Sequence, residues 1–221
     1  MERALNQPTP VTILLAEQLA LVRDGLAALC ALRPEWHVVA QSADGADAFD
    51  RICALRPDVA VLDLHLPNLY CLELVRRMQD RGLATKPIVL SDRQDRKTVM
   101  EALRTGASGF VLKSCPGAEF LEAIRMVSEG GVFVSPSIEV GRMFTTKTKH
   151  APEDPIESLS AREYQVFSLL IDGMRAKEIA GRLDLSPKTV DTYRASMMRK
   201  LDIHDLAGLV KFAIQKKLIA M

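Results

Sequence analysis

The chain has 221 residues, enough for two modest domains that each bury a core. Its composition, 48% apolar and 26% charged, is typical of a globular protein and excludes a disordered or fibrous chain. The net charge of +1 is unevenly distributed, because residues 158–221 carry a net +4 and the rest of the chain carries −3. The basic segment therefore predicts a polyanion as its partner.

The first apolar run, from Val11 to Ala16, is too short for a secretion signal or a membrane span. We therefore expect a cytoplasmic protein with no membrane partner. The cysteines have no C-x-x-C spacing and fall in segments predicted to be buried or nearly so, which favours reduced structural thiols. They are Cys30, Cys53, Cys71 and Cys115.

Short apolar segments alternate with longer amphipathic segments through the first 130 residues. This alternation predicts the α/β class, with a five-stranded parallel doubly wound sheet of the flavodoxin-like kind. The predicted strands are Val11–Ala16, His37–Ala40, Val59–Leu62, Ile88–Leu90 and Gly109–Leu112. The predicted helices are Leu19–Leu32, Ala46–Leu55, Cys71–Asp80, Asp95–Thr105 and Ala118–Glu129.

The segment after Gly131 loses this periodicity, and its polar run from Thr145 to Asp154 favours a linker. The remaining residues predict a small all-α domain that begins with a capping box at Ser160-Ala-Arg-Glu163. Two further helices, Ala176–Leu183 and Pro187–Leu201, have only a short turn between them, which is typical of a helix-turn-helix. The predicted domains are thus 1–131 and 158–221, joined by a linker at 132–157.

Polar side chains follow four of the predicted strands: Glu17 and Gln18 after the first, then Asp63, Ser91 and Lys113. In the common strand order 2-1-3-4-5 these strands are neighbours, so their carboxyl ends meet at one edge of the sheet. Close carboxylates attract a divalent cation, and a lysine with a hydroxyl suits the oxygens of a phosphoryl group. The sequence therefore predicts a phosphoryl and metal site at this edge.

Four segments carry a family resemblance: Ile13-Leu-Leu-Ala-Glu-Gln, Val61-Leu-Asp-Leu-His-Leu-Pro, Ile88-Val-Leu-Ser and Gly106-Ala-Ser-Gly-Phe-Val-Leu-Lys. Together they resemble the receiver domain of two-component response regulators. The resemblance implies that Asp63 is the phosphoacceptor, that Ser91 and Lys113 contact the phosphoryl group, and that Phe110 is a switch residue. It also implies a Mg²⁺ ion, for which the expected ligands are Glu17, Asp63 and Gln18.

The receiver segment departs from its family at three positions. Gln18 stands where a second acid is usual, Asp92 where a small residue is usual, and Cys71 where a glycine is usual. A neutral ligand lowers cation affinity, and a carboxylate beside Ser91 crowds or repels a phosphoryl group. Our hypothesis is that phosphorylation of Asp63 is weakened, and the competing hypothesis is a degenerate receiver that works without phosphorylation.

The segment from Leu159 to Lys200-Leu resembles the LuxR-type helix-turn-helix of NarL/FixJ-type regulators. In its second helix Lys188, Asp191, Thr192 and Ala195 are expected to approach base edges, with Asp191 accepting from cytosine N4. Phosphate contacts are expected from Lys177, Ser186, Thr189, Arg199 and Lys200. The last helix, predicted at Asp205–Gln215, has apolar residues beyond those that close the core, and these suit pairing of two copies on DNA.

The sequence thus favours a transcriptional regulator of a two-component phosphorelay that binds double-stranded DNA as a homodimer and receives its phosphoryl group from a sensor histidine kinase. An enzyme is the second interpretation, but the chain has no glycine-rich phosphate loop and no separate general base. A ligand-binding regulator of the quorum-sensing kind is the third. The βα alternation and the low aromatic content disfavour it.

Overall fold

A computed structural model describes residues 10–138, 155–216 and 218 of the chain. These residues form two compact units. The first contains residues 10–92 and 102–138, and the second contains residues 93–101 together with the described residues from 155 onward. The polar run from Thr145 to Asp154, and with it most of the predicted linker, lies outside the described residues.

The first unit is built on a parallel sheet with the strand order β2-β1-β3-β4-β5-β6. The strands are β1 Val11–Ala16, β2 Trp36–Ser42, β3 Val59–Asp63, β4 Lys86–Ser91, β5 Gly109–Leu112 and β6 Phe133–Val134. The predicted class and strand order are confirmed. The count of five strands is corrected to six, because β6 has only two residues, too few to show a period, and it falls in the segment predicted as linker.

Five helices follow the first five strands along the chain, and each begins and ends within two residues of its predicted bounds. They are α1 Ala20–Cys30, α2 Gly45–Leu55, α3 Cys71–Asp80, α4 Arg96–Thr105 and α5 Gly117–Ser128. Residues 96–101 of α4 belong to the second unit. A side-chain cap fixes the start of α2, where Asp44 accepts from the backbone N–H groups of Ala46 and Asp47.

The central strand β3 places a carboxylate in the interior of the first unit. All five of its residues, Val59–Asp63, are buried, as expected for a parallel strand that is covered on both faces. Asp63 pairs in register with Leu90 of β4, and Ser91 pairs with Leu112 of β5. The carboxyl ends of β3, β4 and β5 are therefore in register, and the side chains at these ends share one edge of the sheet.

Besides the segment 93–101, the described residues of the second unit form a short 3₁₀ helix at Pro155–Ser158 and four α-helices. These are α6 Ala161–Ile171, α7 Ala176–Leu183, α8 Pro187–Leu201 and α9 Leu206–Gln215. The capping box of α6 is confirmed, since Ser160 Oγ accepts from Glu163 N and Glu163 Oε2 accepts from Ser160 N. The predicted bounds of α7 and α8 agree with the structure to the residue. Asp184, in the left-handed region at φ 56°, ends α7.

Helix α8 presents two contrasting faces. Val190, Met197 and Leu201 are buried in the core of the second unit, which also contains Leu209 and Ala213 of α9. The opposite face of α8 is exposed. No helix in the described part of the chain has the length and apolarity needed to cross a membrane.

Candidate functional site

The structure brings together the side chains predicted at the strand ends. Glu17, Asp63 and Ser91 are fully buried, whereas the Lys113 side chain is 23% exposed. The Lys113 ammonium lies 2.8 Å from Glu17 Oε2 and 3.0 Å from Asp63 Oδ1. Glu17, Asp63 and Lys113 therefore form one pocket with two carboxylates and one cation, and Ser91 is buried at the end of the neighbouring strand β4.

The two carboxylates keep Lys113 charged. Burial of the ammonium opposes its charge, but the hydrogen bonds and negative charges of Glu17 and Asp63 outweigh this and raise the pKa of Lys113 above its ordinary value of 10.5. The contact between Lys113 Nζ and Glu17 Oε2 is an ion pair. Lys113 thus offsets part of the negative charge that an incoming anion would meet.

The two oxygens of Asp63 have different surroundings. Oδ1 pairs with Lys113 and accepts a hydrogen bond from the backbone N–H of His65 at 3.2 Å. Oδ2 is buried and has no hydrogen-bond partner among the described residues. A buried acceptor without a partner is costly, and such atoms in native proteins often mark a place for a ligand or a reaction. Oδ2 is therefore the oxygen available to a phosphoryl group or a cation.

The oxygen donors fit a divalent cation only in part. In the part of the chain that the structure describes, Glu17 Oε2 and Asp63 Oδ2 are buried carboxylate oxygens that accept no hydrogen bond, and Mg²⁺ prefers such hard oxygen ligands. Gln18, the third predicted ligand, is exposed and neutral. Within the described residues no group of three acidic, histidine or cysteine side chains is arranged to hold a metal. The site therefore offers two anionic ligands rather than three.

Asp92 and Cys71, the two other positions that differ from the receiver family, follow strand β4 and begin helix α3, respectively. The Asp92 side chain is 73% exposed, and its Oδ1 lies 3.8 Å from His65 Nε2. Cys71 is buried as the first residue of α3, and its thiol donates weakly to the Leu62 carbonyl at 3.9 Å. Burial, and then the negative charge of Asp63, raise the pKa of Cys71 well above 9.0. The thiol therefore stays protonated behind the carboxylate.

Phe110, the predicted switch residue, is fully buried in β5. It pairs with Val89 of β4 and Val134 of β6, and its carbonyl accepts from Ser135 N at 2.9 Å. The residue is therefore part of the sheet interior between two neighbouring strands.

In the second unit, the predicted DNA contacts lie mostly on exposed surface. The exposed face of α8 consists of residues spaced by three and four: Lys188, Asp191, Thr192, Ala195 and Arg199. Of the remaining predicted contacts Lys177, Ser186 and Lys200 are exposed and Thr189 is half-buried. Ser186 Oγ accepts from Thr189 N at 3.1 Å and so caps α8. This geometry leaves one polar helix face open to a partner.

Two family models match the chain. The receiver domain of response regulators matches residues 13–125, and the bacterial regulatory proteins of the luxR family match residues 157–213. The chain belongs to the response-regulator family. Its pairing of a receiver with a LuxR-type helix-turn-helix makes it a two-component transcriptional regulator of the NarL/FixJ type with a DNA-binding tail.

Relatives and solved structures resemble this regulator over part or most of its length. The oxygen regulatory protein NreC of Staphylococcus haemolyticus is 31% identical over 213 residues, which covers 94% of this chain and 98% of that protein. The crystal structure of a LuxR-family two-component response regulator from Aurantimonas is 32% identical, with a TM-score of 0.57 over 59% of this chain and 93% of the other. The RcsB regulator of Salmonella typhimurium, 20% identical, has the same fold, with a TM-score of 0.78 over 92% of this chain and 96% of the other.

The sequence did not reveal a second role for Glu163 of the regulator. This capping residue is buried, and its Oε1 accepts from Ser196 Oγ at 2.7 Å while its Oε2 lies 2.6 Å from Lys200 Nζ. Burial opposes the charge, but the bonds from Lys200, Ser196 and Ser160 lower the pKa of Glu163 to about 2. The sequence signal at Glu163 was the capping box. It indicates where a helix starts, but it gives no information about a contact with α8.

The sequence also missed a polar cluster within the second unit. The Tyr164 hydroxyl on α6 is hydrogen-bonded to three residues of the segment 93–101, namely Arg93, Asp95 and Thr98. The pattern Asp95-x-x-Thr98 signals only a helix start, and Tyr164 occupies an apolar position of an amphipathic helix. Neither feature predicts that the two meet.

Proposed function

We propose that phosphorylation of Asp63 controls DNA binding by the helix-turn-helix of this regulator. The observation that carries the proposal is the buried Asp63 Oδ2, for which the described part of the chain supplies no hydrogen-bond partner, while Lys113 Nζ lies 3.0 Å from the other oxygen. An oxygen nucleophile beside a fixed cation is what in-line phosphoryl transfer to a carboxylate requires. In our assignment residues 1–131 receive the phosphoryl group, 132–157 link, and 158–221 bind DNA.

The proposed reaction is a transfer to Asp63 Oδ2 from an acyl phosphate or from a phosphohistidine of a sensor kinase. A bond forms between Oδ2 and phosphorus, and the bond from phosphorus to the donor's leaving group breaks, with the electron pair departing on the donor. Lys113 stays within reach of the phosphoryl oxygens, and Ser91, buried at the end of β4, donates its hydroxyl to one of them.

Mg²⁺ bound at this site would neutralise charge on the phosphoryl group. Glu17 and Asp63 are the residues that would hold it, with Gln18 as a neutral third ligand. Because the third anionic ligand is replaced by an amide, we propose that cation affinity, and with it the rate of phosphorylation, is lower than three acidic ligands would give.

We propose that the DNA partner is double-stranded and that α8 enters its major groove. The exposed face of α8 supports this proposal, with Lys188, Asp191, Thr192 and Ala195 toward base edges. We assign the contacts with DNA phosphates to five other residues: Lys177, Ser186, Thr189, Arg199 and Lys200. Sequence reading then depends on the first group, and salt-dependent affinity on the second.

We also propose that two copies pair on DNA through α9. Leu209 and Ala213 of this helix are buried in the core, whereas Leu206 is 44% exposed beside Val210 and Ile214. These residues line an open, mainly apolar groove of about 700 Å³. A twofold pair would cover it and would match an operator with two half-sites.

Intact-mass measurement after incubation with acetyl phosphate and Mg²⁺ tests the phosphoacceptor. We expect one added phosphoryl group on the wild type and none on Asp63→Asn, with Asp58→Asn as the control because Asp58 is exposed and bonded to Thr12 at the start of β1. No adduct on the wild type would favour the phosphorylation-independent regulator. An adduct that persists in Asp63→Asn would assign the phosphoryl group to another residue.

A further inference from the structure

We propose that Ser135 is a positioning residue for the phosphorylation of Asp63, because it fixes the end of β5 from which Lys113 reaches the pocket. The inference rests on the proposed function, and it adds a residue from outside the range 1–131 that receives the phosphoryl group in our assignment. Ser135 comes directly after β6 and is fully buried. It belongs to the same compact unit as the pocket.

The hydrogen-bond ladder between β6 and β5 stops one bond short of the end of β5. Its last backbone bond runs from Ser135 N to Phe110 O at 2.9 Å. The even spacing of a parallel ladder would next join Leu112 N to the Ser135 carbonyl. The chain turns at residues 136–137, however, and this carbonyl accepts from Ile138 N at 2.9 Å instead. The backbone of β6 therefore supplies no acceptor for the last N–H of β5.

The Ser135 side chain takes the place of the missing ladder bond. Its Oγ accepts from Leu112 N at 3.0 Å and donates to Glu119 Oε1 of α5 at 2.5 Å. A buried N–H without an acceptor is costly, so the hydroxyl stabilises the last residue of β5 in its place in the sheet. The Glu119 carboxylate in turn orients the hydroxyl, because it accepts the proton and leaves a lone pair for Leu112.

Leu112 is followed directly by Lys113, the cation of the pocket. On the side of β4, Lys113 N donates to Ser91 O at 2.7 Å. On the side of β6, the Leu112 N–H is bound by the Ser135 hydroxyl. The end of β5 is thus held from both sides at the point from which Lys113 Nζ reaches the two carboxylates, at 2.8 and 3.0 Å.

Loss of the Ser135 hydroxyl would release one side of this strand end. The Lys113 ammonium would then no longer be fixed relative to Asp63, and phosphoryl transfer depends mainly on the positions of the reacting and charged groups. The two bonds of the hydroxyl go to Leu112 and Glu119, so its effect on the reaction passes through Lys113 rather than through a contact with the phosphoryl group.

The test is Ser135→Ala in the full chain, with labelling by acetyl phosphate and Mg²⁺ followed by intact mass. We expect the rate constant at saturating acetyl phosphate to fall about ten-fold, since a displacement of about 1 Å in a reacting group can cost a hundred-fold. A variant that was merely unfolded in part would behave differently. It would label a smaller fraction of the chains, at the wild-type rate.

Thr12→Val is the matched control at the opposite edge of the sheet. Thr12 Oγ1 also accepts from a backbone N–H, that of Asp58 at 3.0 Å, and it also donates to a carboxylate oxygen, Asp58 Oδ2, at 2.6 Å. The two variants therefore lose the same kinds of bond within the same compact unit. Thr12→Val should label at the wild-type rate, and circular dichroism shows which variants remain folded.

Glu119 provides a second pair of variants that does not disturb a fully buried position. Glu119→Ala removes the acceptor of the Ser135 hydroxyl proton and should slow labelling in the same direction as Ser135→Ala. Glu119→Gln keeps an acceptor oxygen at this place and should label as the wild type does. This pair supplies the comparison if Ser135→Ala does not fold.

Amide exchange at Leu112, measured by NMR on the unphosphorylated chain, checks the route of the effect. Exchange should be up to about ten-fold faster in Ser135→Ala than in the wild type, because the acceptor of this N–H is lost. It should be unchanged in Thr12→Val. The measurement does not depend on phosphorylation, so it reports on the strand end alone.

A folded Ser135→Ala that labels as fast as the wild type overturns the positioning role, and so does a folded Glu119→Ala that does so where Ser135→Ala does not fold. Slower labelling without faster exchange at Leu112 overturns it too, as does an equal loss of rate in Thr12→Val. Failure of the proposed function is seen in the wild type itself. In that case none of the proteins takes up a phosphoryl group, and the positioning role falls with the proposed function.

Discussion

Lys200 Nζ lies 2.6 Å from Glu163 Oε2, so the last turn of α8 is fixed to the first turn of α6. The same carboxylate closes the capping box with Ser160 and accepts from Ser196. The buried Glu163 carboxylate therefore accepts from the backbone N–H at the start of α6. It also positions α8, the helix that we propose reads DNA. Lys200, which we also predict to contact a DNA phosphate, forms an ion pair with Glu163 in this structure.

Replacement of Glu163 by Gln should destabilise the helix-turn-helix by about 1–3 kcal/mol, because hydrogen bonds from charged groups are lost inside the protein. The pKa of Glu163 is lowered to about 2 from 4.5, so its contribution is complete above pH 4.5 and is lost as the pH falls toward 2. Urea unfolding of both proteins between pH 7 and pH 2 measures this, and the difference should shrink across that range.

Glu178→Gln is the matched control for this prediction. Glu178 also accepts from the backbone at a helix start, from Arg175 N at 2.7 Å, but it is exposed. Its replacement should cost no more than about 1 kcal/mol. An equal loss in both variants would mean that Glu163 acts only as a cap.

Lys113→Met should destabilise the first unit by about 3–5 kcal/mol, because it leaves Glu17 and Asp63 buried without their cation. Thermal or urea unfolding measures the loss. The double variant Lys113→Met with Asp63→Asn should recover part of it, since one of the two uncompensated charges is gone. A double variant that is less stable than Lys113→Met alone would show that the charges are not coupled.

The sequence predicted the parts of the fold that have strong local signals. The bounds of helices α7 and α8 were predicted to the residue. Ser186 caps α8 and Pro187 suits its first position, where a backbone N–H would have no partner within the helix, and α7 has a clear apolar period. Strand β6 was missed because two residues, Phe133 and Val134, carry no period. Its place in the sheet depends on pairing with β5, which is a tertiary interaction.

The part of the site that lies at the strand ends could also be predicted from local sequence signals. Glu17, Asp63, Ser91 and Lys113 follow parallel strands, and the carboxyl ends of such strands must share an edge. The Tyr164 cluster and the bonds of Glu163 to α8 join residues that are 33 to 71 positions apart in the sequence. Neither spacing nor periodicity encodes which helix faces meet, so these contacts required coordinates.

Gln18→Asp should tighten Mg²⁺ binding at the receiver pocket. A further negative charge about 4 Å from the cation adds on the order of 1–4 kcal/mol of attraction, depending on how far solvent screens it. We therefore expect at least a several-fold lower dissociation constant for Mg²⁺ by isothermal titration calorimetry and faster labelling by acetyl phosphate. Gln41→Asp, an exposed change on β2, is the control. Equal Mg²⁺ affinities in the two variants would place Gln18 outside the metal site.

Asp191→Ala should relax the base preference of α8 at one operator position by about 1–3 kcal/mol, because the acceptor for cytosine N4 is removed. Nonspecific affinity should stay unchanged or rise, since a carboxylate near phosphates repels them. Lys177→Ala gives the contrasting result: a uniform loss over all sequences and a salt slope smaller by about 1. Binding to a library of operator variants at two salt concentrations separates the two patterns. A uniform loss for Asp191→Ala would mean that this residue positions the helix and does not read a base.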